Sequence, residues 1–313
     1  EGGAGTFSDG KLNTLVKDKF NRGRKVFEIF VENGAPSEIM YDAHPHIGTD
    51  ILRNVIKNIR EKIISMGGEF RYNSCVTDIY ISNDSITGVQ VNNSYDISTD
   101  IVVLAIGHSA RDTFHLLYDK GINMRPKNFA VGVRIEHPRS MINWNQYGKF
   151  SKVLGAASYK LAHTTSSGRG VYSFCMCPGG FVVNASSEEG RLVVNGMSNY
   201  KRDEKNSNSA LVVTVGPKDF GDNPMDGIEF QRKLEEKAYI AGKGFIPVQL
   251  YKDFCLGKVS TSFGEFSPNT KGNYNFSNLC DVLPEFVVSS LKEGIEAFSK
   301  NIKGYNRDDA ILL

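Results

Sequence analysis

The sequence is poor in the features that assign a protein to a class at once. It has a single tryptophan, no internal repeat and no apolar run long enough to cross a bilayer. Its formal net charge is only +2, so neither nucleic acid nor a membrane is expected as a partner. The 313 residues are 40% hydrophobic and 23% charged, which is typical of a globular protein of about two domains.

Targeting signals and metal motifs are also missing. We find no signal peptide, and the five cysteines are scattered, which predicts reduced thiols in a cytoplasmic protein. His44 and His46 lie close together, but no third ligand is suitably spaced, so no metal site is expected. No nucleophile elbow, Walker loop or zinc spacing occurs, and the catalytic residues remain unknown.

Both ends of the sequence suggest a segment of a longer protein. The chain opens with Glu-Gly-Gly and no methionine, and it closes on the apolar residues Ile311, Leu312 and Leu313. We therefore expect residues on either side. Because lost neighbouring strands would leave sheet edges open, self-association of this piece is also expected.

The central pattern is the stretch 98–110, STDIVVLAIGHSA. Residues 101–106 are an unbroken apolar run rich in β-branched residues, which predicts a strand buried on both faces. Gly107 ends the run, and Ser109 is a suitable cap for a helix over 112–119. A strand, a glycine and a helix amino end form a cofactor site in open α/β sheets. The residues alone favour the simpler alternative, a buried strand followed by an ordinary turn.

The first thirteen residues, EGGAGTFSDGKLN, predict a loop rich in backbone N–H donors. Its glycines would let a phosphate or a flat ring approach the backbone, although the GxGxxG fingerprint is absent. After this loop, we predict helices over 17–33, 36–43 and 49–65. Strands are expected over 69–72, 75–82 and 86–91.

The second part of the chain changes character near residue 126. Five segments between glycine, serine and asparagine turns predict an antiparallel sheet, and helices are expected over 225–241 and 283–300. A long surface loop is expected over 257–277. Arg134, Glu136 and His137 fit an ion pair at a strand edge, with substrate binding as the alternative. We assign no function to the charged turn 200–203.

Cys175 and Cys177 lie in the most reactive-looking stretch, CMCPGG. On a regular strand, two thiols two residues apart point to opposite faces and are poorly placed to pair. One functional interpretation puts a thiol beside a redox centre. The interpretation as ordinary buried cysteines is favoured over it.

Several long motifs in a fixed order carry a resemblance through nearly the whole chain. They are EGGAGTFSDGKL, HPHIGTD, VVLAIGHSARDT, FAVGVRIEHP, GVYSFCMCPGG and NGMS. In this order they resemble the bacterial FAD-dependent proteins described as NAD(FAD)-utilising dehydrogenases of uncertain substrate. The resemblance implies an α/β (α+β) fold: an incomplete glutathione-reductase-like FAD-binding domain, 1–125, and an antiparallel-sheet substrate domain, 126–313. The GxGxxG unit would precede residue 1, and the closing FAD-domain segment would follow residue 313.

The resemblance also implies cofactor contacts at particular positions. The loop expected along the FAD pyrophosphate and isoalloxazine matches Gly2, Gly3, Gly5, Thr6, Ser8, Asp9 and Lys11. Val76 matches the position whose backbone meets the adenine. Ala105, Ile106 and Gly107 match the strand end that passes near the cofactor. These matches favour the cofactor interpretation of the stretch 98–110.

The function implied is that of an FAD-dependent oxidoreductase acting on an unknown small molecule. In the longer protein the flavin would transfer a hydride, with NAD(P)H as a co-substrate, while the protein orients the substrate. This chain alone is expected to bind FAD weakly or not at all and to be inactive. The alternatives are a non-catalytic ligand-binding or protein-interaction domain on a degenerate nucleotide-binding fold, and thiol chemistry at Cys175 or Cys177.

Overall fold

A computed structural model describes residues 3–13 and 17–313 of the chain. The fold is a mixture of helices and sheets, as the sequence predicts, but the expected antiparallel region also contains two parallel strand pairs, 246–248 with 274–276 and 182–183 with 270–271. Among the described residues, no helix combines the length and the apolar character needed to span a membrane.

The N-terminal region contains two amphipathic helices and a small sheet. Helices α1 (Arg22–Glu32) and α2 (Thr49–Ser65) bury Leu52 and Val55, and the apolar spacing of α2 predicts its bounds correctly. Strands β1 (Val76–Ser82), β2 (Ser85–Val91) and β3 (Tyr95–Ser98) form an antiparallel sheet. No strand forms over the predicted segment 69–72.

The predicted central strand is absent. Residues 101–106 adopt no regular structure, and Ile101 and Val103 are 74% and 83% exposed. In the described residues no other strand pairs with this segment, so its backbone has no ladder and its side chains have no covering layer. The following helix, α3 (Arg111–Asp119), forms as predicted, but Ala110 rather than Ser109 is at the capping position.

A seven-stranded sheet organises the second part of the chain. Its strand order is β12-β10-β13-β4-β9-β6-β5, and all neighbours are antiparallel except β10 and β12. The seven strands are β4 (Phe129–Pro138), β5 (Ala162–Thr164), β6 (Gly170–Cys177), β9 (Asn206–Val215), β10 (Ile246–Leu250), β12 (Tyr274–Phe276) and β13 (Ile311–Leu312). A smaller sheet of β7 (Phe181–Asn184), β8 (Val194–Met197) and β11 (Thr270–Lys271) packs beside it.

Helix α8 (Glu285–Phe298) provides the main cover of the large sheet. Its residues Val287, Leu291 and Ile295 are fully buried in the largest apolar cluster of the described chain. The other helices are α4 (Arg139–Tyr147), α5 (Pro217–Phe220), α6 (Asp226–Gly242) and α7 (Tyr251–Leu256). The expected loop over 257–277 is a loop as far as residue 269, after which β11 and β12 form.

Candidate functional site

The glycine-rich loop adopts a defined structure and is hydrogen-bonded to the stretch that precedes α2. After a 3₁₀ turn over Ala4–Phe7, the loop pairs with the stretch that precedes α2, with hydrogen bonds from the Ile47 amide to the Gly10 carbonyl and from the Gly48 amide to the Asp9 carbonyl. The Thr49 hydroxyl donates to the Thr6 carbonyl at 2.8 Å. A methyl group added at Gly3 or Gly5 would meet no atom within 4 Å beyond its chain neighbours. Gly2 lies outside the described residues.

Gly48 brings this N-terminal unit into contact with the second part of the chain. Its φ is +79°, and a methyl group there would lie 2.2 Å from the Tyr200 amide nitrogen. Beside it, the Thr49 amide donates to the Ser198 carbonyl at 2.9 Å, and the His46 ring stacks on Tyr200. Only a glycine allows two backbones to come this close in that conformation.

Asp9 carries the ionic part of this contact. It is 1% exposed, receives two hydrogen bonds from the Arg202 guanidinium, and has the Lys11 ammonium at 3.4 Å. Burial alone would raise the pKa of Asp9, but the Arg202 and Lys11 cations outweigh it and hold that pKa below its usual value. Asp9 is therefore an anion, and two cations fix it in place.

Arg134 is a buried cation without a matching carboxylate. It is 3% exposed; its guanidinium donates to the Asn208 side chain at 2.8 Å and to the Cys175 carbonyl at 2.8 Å, and lies 3.7 Å from the Cys177 sulfur. Among the described residues, no Asp or Glu forms an ion pair with it. A buried charge is costly unless an opposite charge compensates it. This position therefore favours an anionic group close to the two cysteines.

The strand is irregular where it carries Cys175 and Cys177. Cys175 has a φ of +45°, and the pairing of β6 with β9 shifts register between Phe174 and Cys177. This bulge interrupts the alternation from which we predicted thiols on opposite faces, so that prediction was wrong. The Cys177 sulfur lies 3.5 Å from the Cys175 carbonyl oxygen, and the two thiols are close enough to interact.

The two thiols have pKa values displaced in opposite directions. A hydrogen bond from the Cys177 thiol, together with the charges of Arg134 and Lys11, lowers the pKa of Cys175 to about 6. The same hydrogen bond and deep burial raise the pKa of Cys177 well above its usual value. Cys175 is half-buried and Cys177 fully buried, so ionisation of the pair is favoured at Cys175 rather than at Cys177. We refer to Asp9, Lys11, Arg134, Cys175 and Cys177 as the thiol cluster.

The turn that follows is closed by the protein's own backbone. A methyl group on Gly179 would lie 1.9 Å from the Arg202 carbonyl oxygen, and the Pro178 carbonyl accepts a hydrogen bond from Ser198. Lys11 reaches across from the N-terminal loop and donates to the Met176 carbonyl. The thiol cluster thus joins three stretches that are far apart in the sequence.

Glu136 and His137 are buried in the middle of the sheet, which corrects the expected ion pair at a strand edge. Strand β4 pairs with β9 along its whole length, and residues 311–313 cover its other edge at residues 134–136. Burial raises the pKa of Glu136 to about 7, although hydrogen bonds from Asn269 and Asn206 oppose this. Burial lowers the pKa of His137 to about 4, against a hydrogen bond to the Tyr305 carbonyl at 2.7 Å.

The remaining predicted site residues lie elsewhere. Val76 begins β1 and is 38% exposed, and Gly107 has a φ of +70° with open space around it. The Cys75 thiol, next to Val76, lies 3.9 Å from the Asp112 carboxylate at the start of α3. Within the described ranges, no hydrogen bond or ion pair joins Val76, Ala105, Ile106 or Gly107 to the loop of Gly3–Lys11.

An apolar cavity of about 420 Å³ opens between the large sheet and α6, and His108 is among its lining residues. Phe129, Val131 and Val212 line the sheet side. Beside it, the buried Arg111 at the start of α3 donates to Glu188 and Glu235 and so attaches α3 to the second part of the chain. Hydrogen bonds from the Arg232 and Arg111 guanidinium groups lower the pKa of Glu188 to about 2.

Sequence reasoning missed Arg134 as a partner of the cysteines, Arg202 as the partner of Asp9, and the cavity. One signal was present: Gly196 in NGMS leaves room for the Arg134 guanidinium, whose nitrogen would lie 2.3 Å from a methyl group there. In the described parts of the chain, no three metal-ligating side chains gather in one place.

Fold and site together define a mixed α/β protein in which a glycine-rich loop is anchored on an antiparallel-sheet region. The model of the family described as FAD-dependent protein, C-terminal domain-like, matches residues 128–313, and the chain belongs to this family. An uncharacterised protein of Clostridium beijerinckii is 51% identical over the whole chain. The chain spans 59% of that relative's length.

Proposed function

We propose that this chain is part of an FAD-dependent oxidoreductase acting on a small molecule, with the loop of Gly3–Lys11 as part of the flavin site. The observation that carries the proposal is the anchoring of this loop on the region that matches the family. Asp9 binds Arg202, and Thr49 binds both Thr6 and Ser198. The family's description supports FAD as the cofactor.

The residues of the loop fit a planar, phosphate-bearing cofactor. Thr6 and Asp9 are buried and attach the loop to the rest of the chain. At Gly3 and Gly5, in contrast, there is open space that a side chain would fill. Gly3, Gly5, Ser8 and Lys11 would hold the cofactor through backbone N–H groups, a hydroxyl and an ammonium charge. The flavin would supply the hydride chemistry when bound.

The chain's own residues would provide the environment of that reaction. Arg134 and Lys11 place positive charge next to the loop, which favours electron-rich groups there. The cavity beside His108 would accept the apolar part of a substrate and exclude water from it. NAD(P)H as a co-substrate belongs to this proposal through the family resemblance alone.

Visible absorption spectra of two purified proteins test the proposal. One protein is this chain, and the other is the full-length Clostridium beijerinckii relative, which extends beyond the matched part. We expect a flavin spectrum in the relative and a weak one or none in this chain, because the pyrophosphate of FAD usually rests on a helix that follows a GxGxxG turn. A relative that stays colourless after incubation with FAD would overturn the proposal.

One feature favours a different function, a non-catalytic interaction domain. The side chains of Ile101, Val103 and Leu104 are at least half exposed in one continuous stretch, as is common at binding surfaces. The same pair of proteins distinguishes the two functions. A relative that binds no flavin but elutes as a stable assembly in size-exclusion chromatography would favour the interaction domain.

A further inference from the structure

We infer that Cys175 and Cys177 form a redox-active pair that cycles between two thiols and one disulfide, by exchange with small disulfides. The inference concerns the chain's own sulfur atoms and does not depend on a bound flavin. It therefore goes beyond the proposed oxidoreductase function.

The backbone at the pair supplies the first argument. An extended strand would separate side chains two residues apart onto its two faces, but the left-handed conformation of Cys175 and the bulge before Cys177 remove that separation. A non-glycine residue in this left-handed region is strained, and such strain collects at functional sites. The bulge thus brings two sulfur atoms together at a local energetic cost.

Charge compensation supplies the second argument. The Arg134 guanidinium is buried against the pair and has no carboxylate partner among the described residues, whereas the other buried arginine, Arg111, has two glutamates. The guanidinium lies 3.7 Å from the Cys177 sulfur, and its charge also lowers the pKa of Cys175, so a thiolate at Cys175 would provide the missing negative charge. The Lys11 ammonium, bound to the Met176 carbonyl between the two cysteines, favours the same ionised form.

The different exposure of the two sulfurs supplies the third argument. Cys175 is half-buried and can meet a small reagent, whereas Cys177 is fully buried. This division suits an attacking thiolate and a resolving thiol. Cys75 and Cys255 are exposed and lie outside the thiol cluster, so they serve as internal references.

The exchange balances with glutathione disulfide as the oxidant. The Cys175 thiolate attacks one glutathione sulfur, a Cys175–glutathione disulfide forms, and the first glutathione thiolate leaves. The Cys177 sulfur then attacks that of Cys175, and the second glutathione leaves as a thiolate that takes up the Cys177 proton. Two protein thiols are oxidised to one disulfide, and glutathione disulfide is reduced to two thiols.

The experiment treats the folded chain with glutathione disulfide, blocks remaining thiols with N-ethylmaleimide and maps the peptides by mass spectrometry. We expect the peptide carrying both cysteines to be lighter by two hydrogen atoms and to resist N-ethylmaleimide until a reductant is added. A C177S variant should instead accumulate a stable glutathione adduct on Cys175, and a C175S variant should gain none on Cys177.

The matched control is a C75S/C255S variant, which should form the same disulfide as the wild type. The pH profile of alkylation is a sharper readout than its absolute rate: alkylation of Cys175 in the reduced wild type should reach half its plateau rate near pH 6. A Lys11→Gln change should move that midpoint to higher pH. Circular dichroism establishes that each variant is folded.

Two results would overturn the inference. One is glutathione attached to the exposed cysteines of the folded wild type while Cys175 and Cys177 both remain thiols. The other is a Cys175–glutathione adduct that persists in the wild type, since Cys177 would then not resolve it. The wild-type peptide map decides the matter even where a cysteine variant fails to fold. Neither result depends on whether flavin binds.

Discussion

Replacing Glu136 by glutamine should remove a specific pH dependence from the stability of the chain. Glu136 is fully buried, and its pKa of about 7 in the folded chain compares with 4.5 as its ordinary value. Between these two values the folded chain binds a proton that the unfolded chain does not bind. The free energy of unfolding should therefore fall as the pH rises through this window.

The size of this effect follows from the same two pKa values. A tenfold change in ionisation corresponds to about 1.4 kcal/mol, so the fall amounts to about 3 kcal/mol between about pH 4 and about pH 8. Burial is the largest cause of the raised pKa, opposed by hydrogen bonds from Asn269 and Asn206 and by the charges of Lys205 and Arg134. Glutamine keeps the shape and stays neutral at every pH.

Urea unfolding of the wild type and E136Q across this pH range gives the test. The variant should gain stability relative to the wild type by about 3 kcal/mol from the acidic to the alkaline end. Glu236→Gln, at an exposed position of α6, controls for loss of a carboxylate and should show no such trend. A constant difference between E136Q and the wild type at all pH values would refute the reasoning.

Two further changes test other parts of the structure. His137→Asn should act with the opposite sign, because the His137 pKa of about 4 in the folded chain lies below its ordinary value of 6.5. The contribution of His137 to the free energy of unfolding therefore grows as the pH rises from about 4 to 6.5. In urea unfolding the variant should lose about 3 kcal/mol more stability at neutral pH than at acidic pH. Gly48→Ala should lower the free energy of unfolding by about 2 kcal/mol or more, because its methyl group overlaps the Tyr200 backbone; an unchanged melting temperature would contradict this.

Patterns within one segment could be predicted well from the sequence. Helix α2 follows from apolar residues at helical spacing, and strands β1 and β2 follow from apolar alternation on either side of an Asn-Asp turn. The stretch 101–106 is different, because burial of an apolar run depends on neighbours from other parts of the fold. The apolar composition indicates that the segment favours burial, but only the neighbouring elements of the fold determine whether it becomes a strand.

The site could be predicted only in pieces. The glycine-rich loop and the cysteine pair both stand out in the sequence, but their meeting depends on Gly48 lying against Tyr200, about 150 residues further on. The bulge at Cys175 could not be predicted from alternation, because a left-handed cysteine is set by the strand it pairs with. Arg134 appeared to be a surface residue because nothing local reveals that β4 has a neighbour on each side.

The short strand β13 has a consequence for how the chain folds. Ile311 pairs with Glu136 on one side and Leu250 on the other, and Leu312 pairs with Ile135 and Gln249, so β13 joins the two halves of the seven-stranded sheet. During synthesis, β4 must wait for a partner about 175 residues downstream before its second edge is covered. Such distant pairing slows folding and leaves an apolar edge open meanwhile. Chaperones that hold nascent chains would find this edge accessible until residue 312 has left the ribosome.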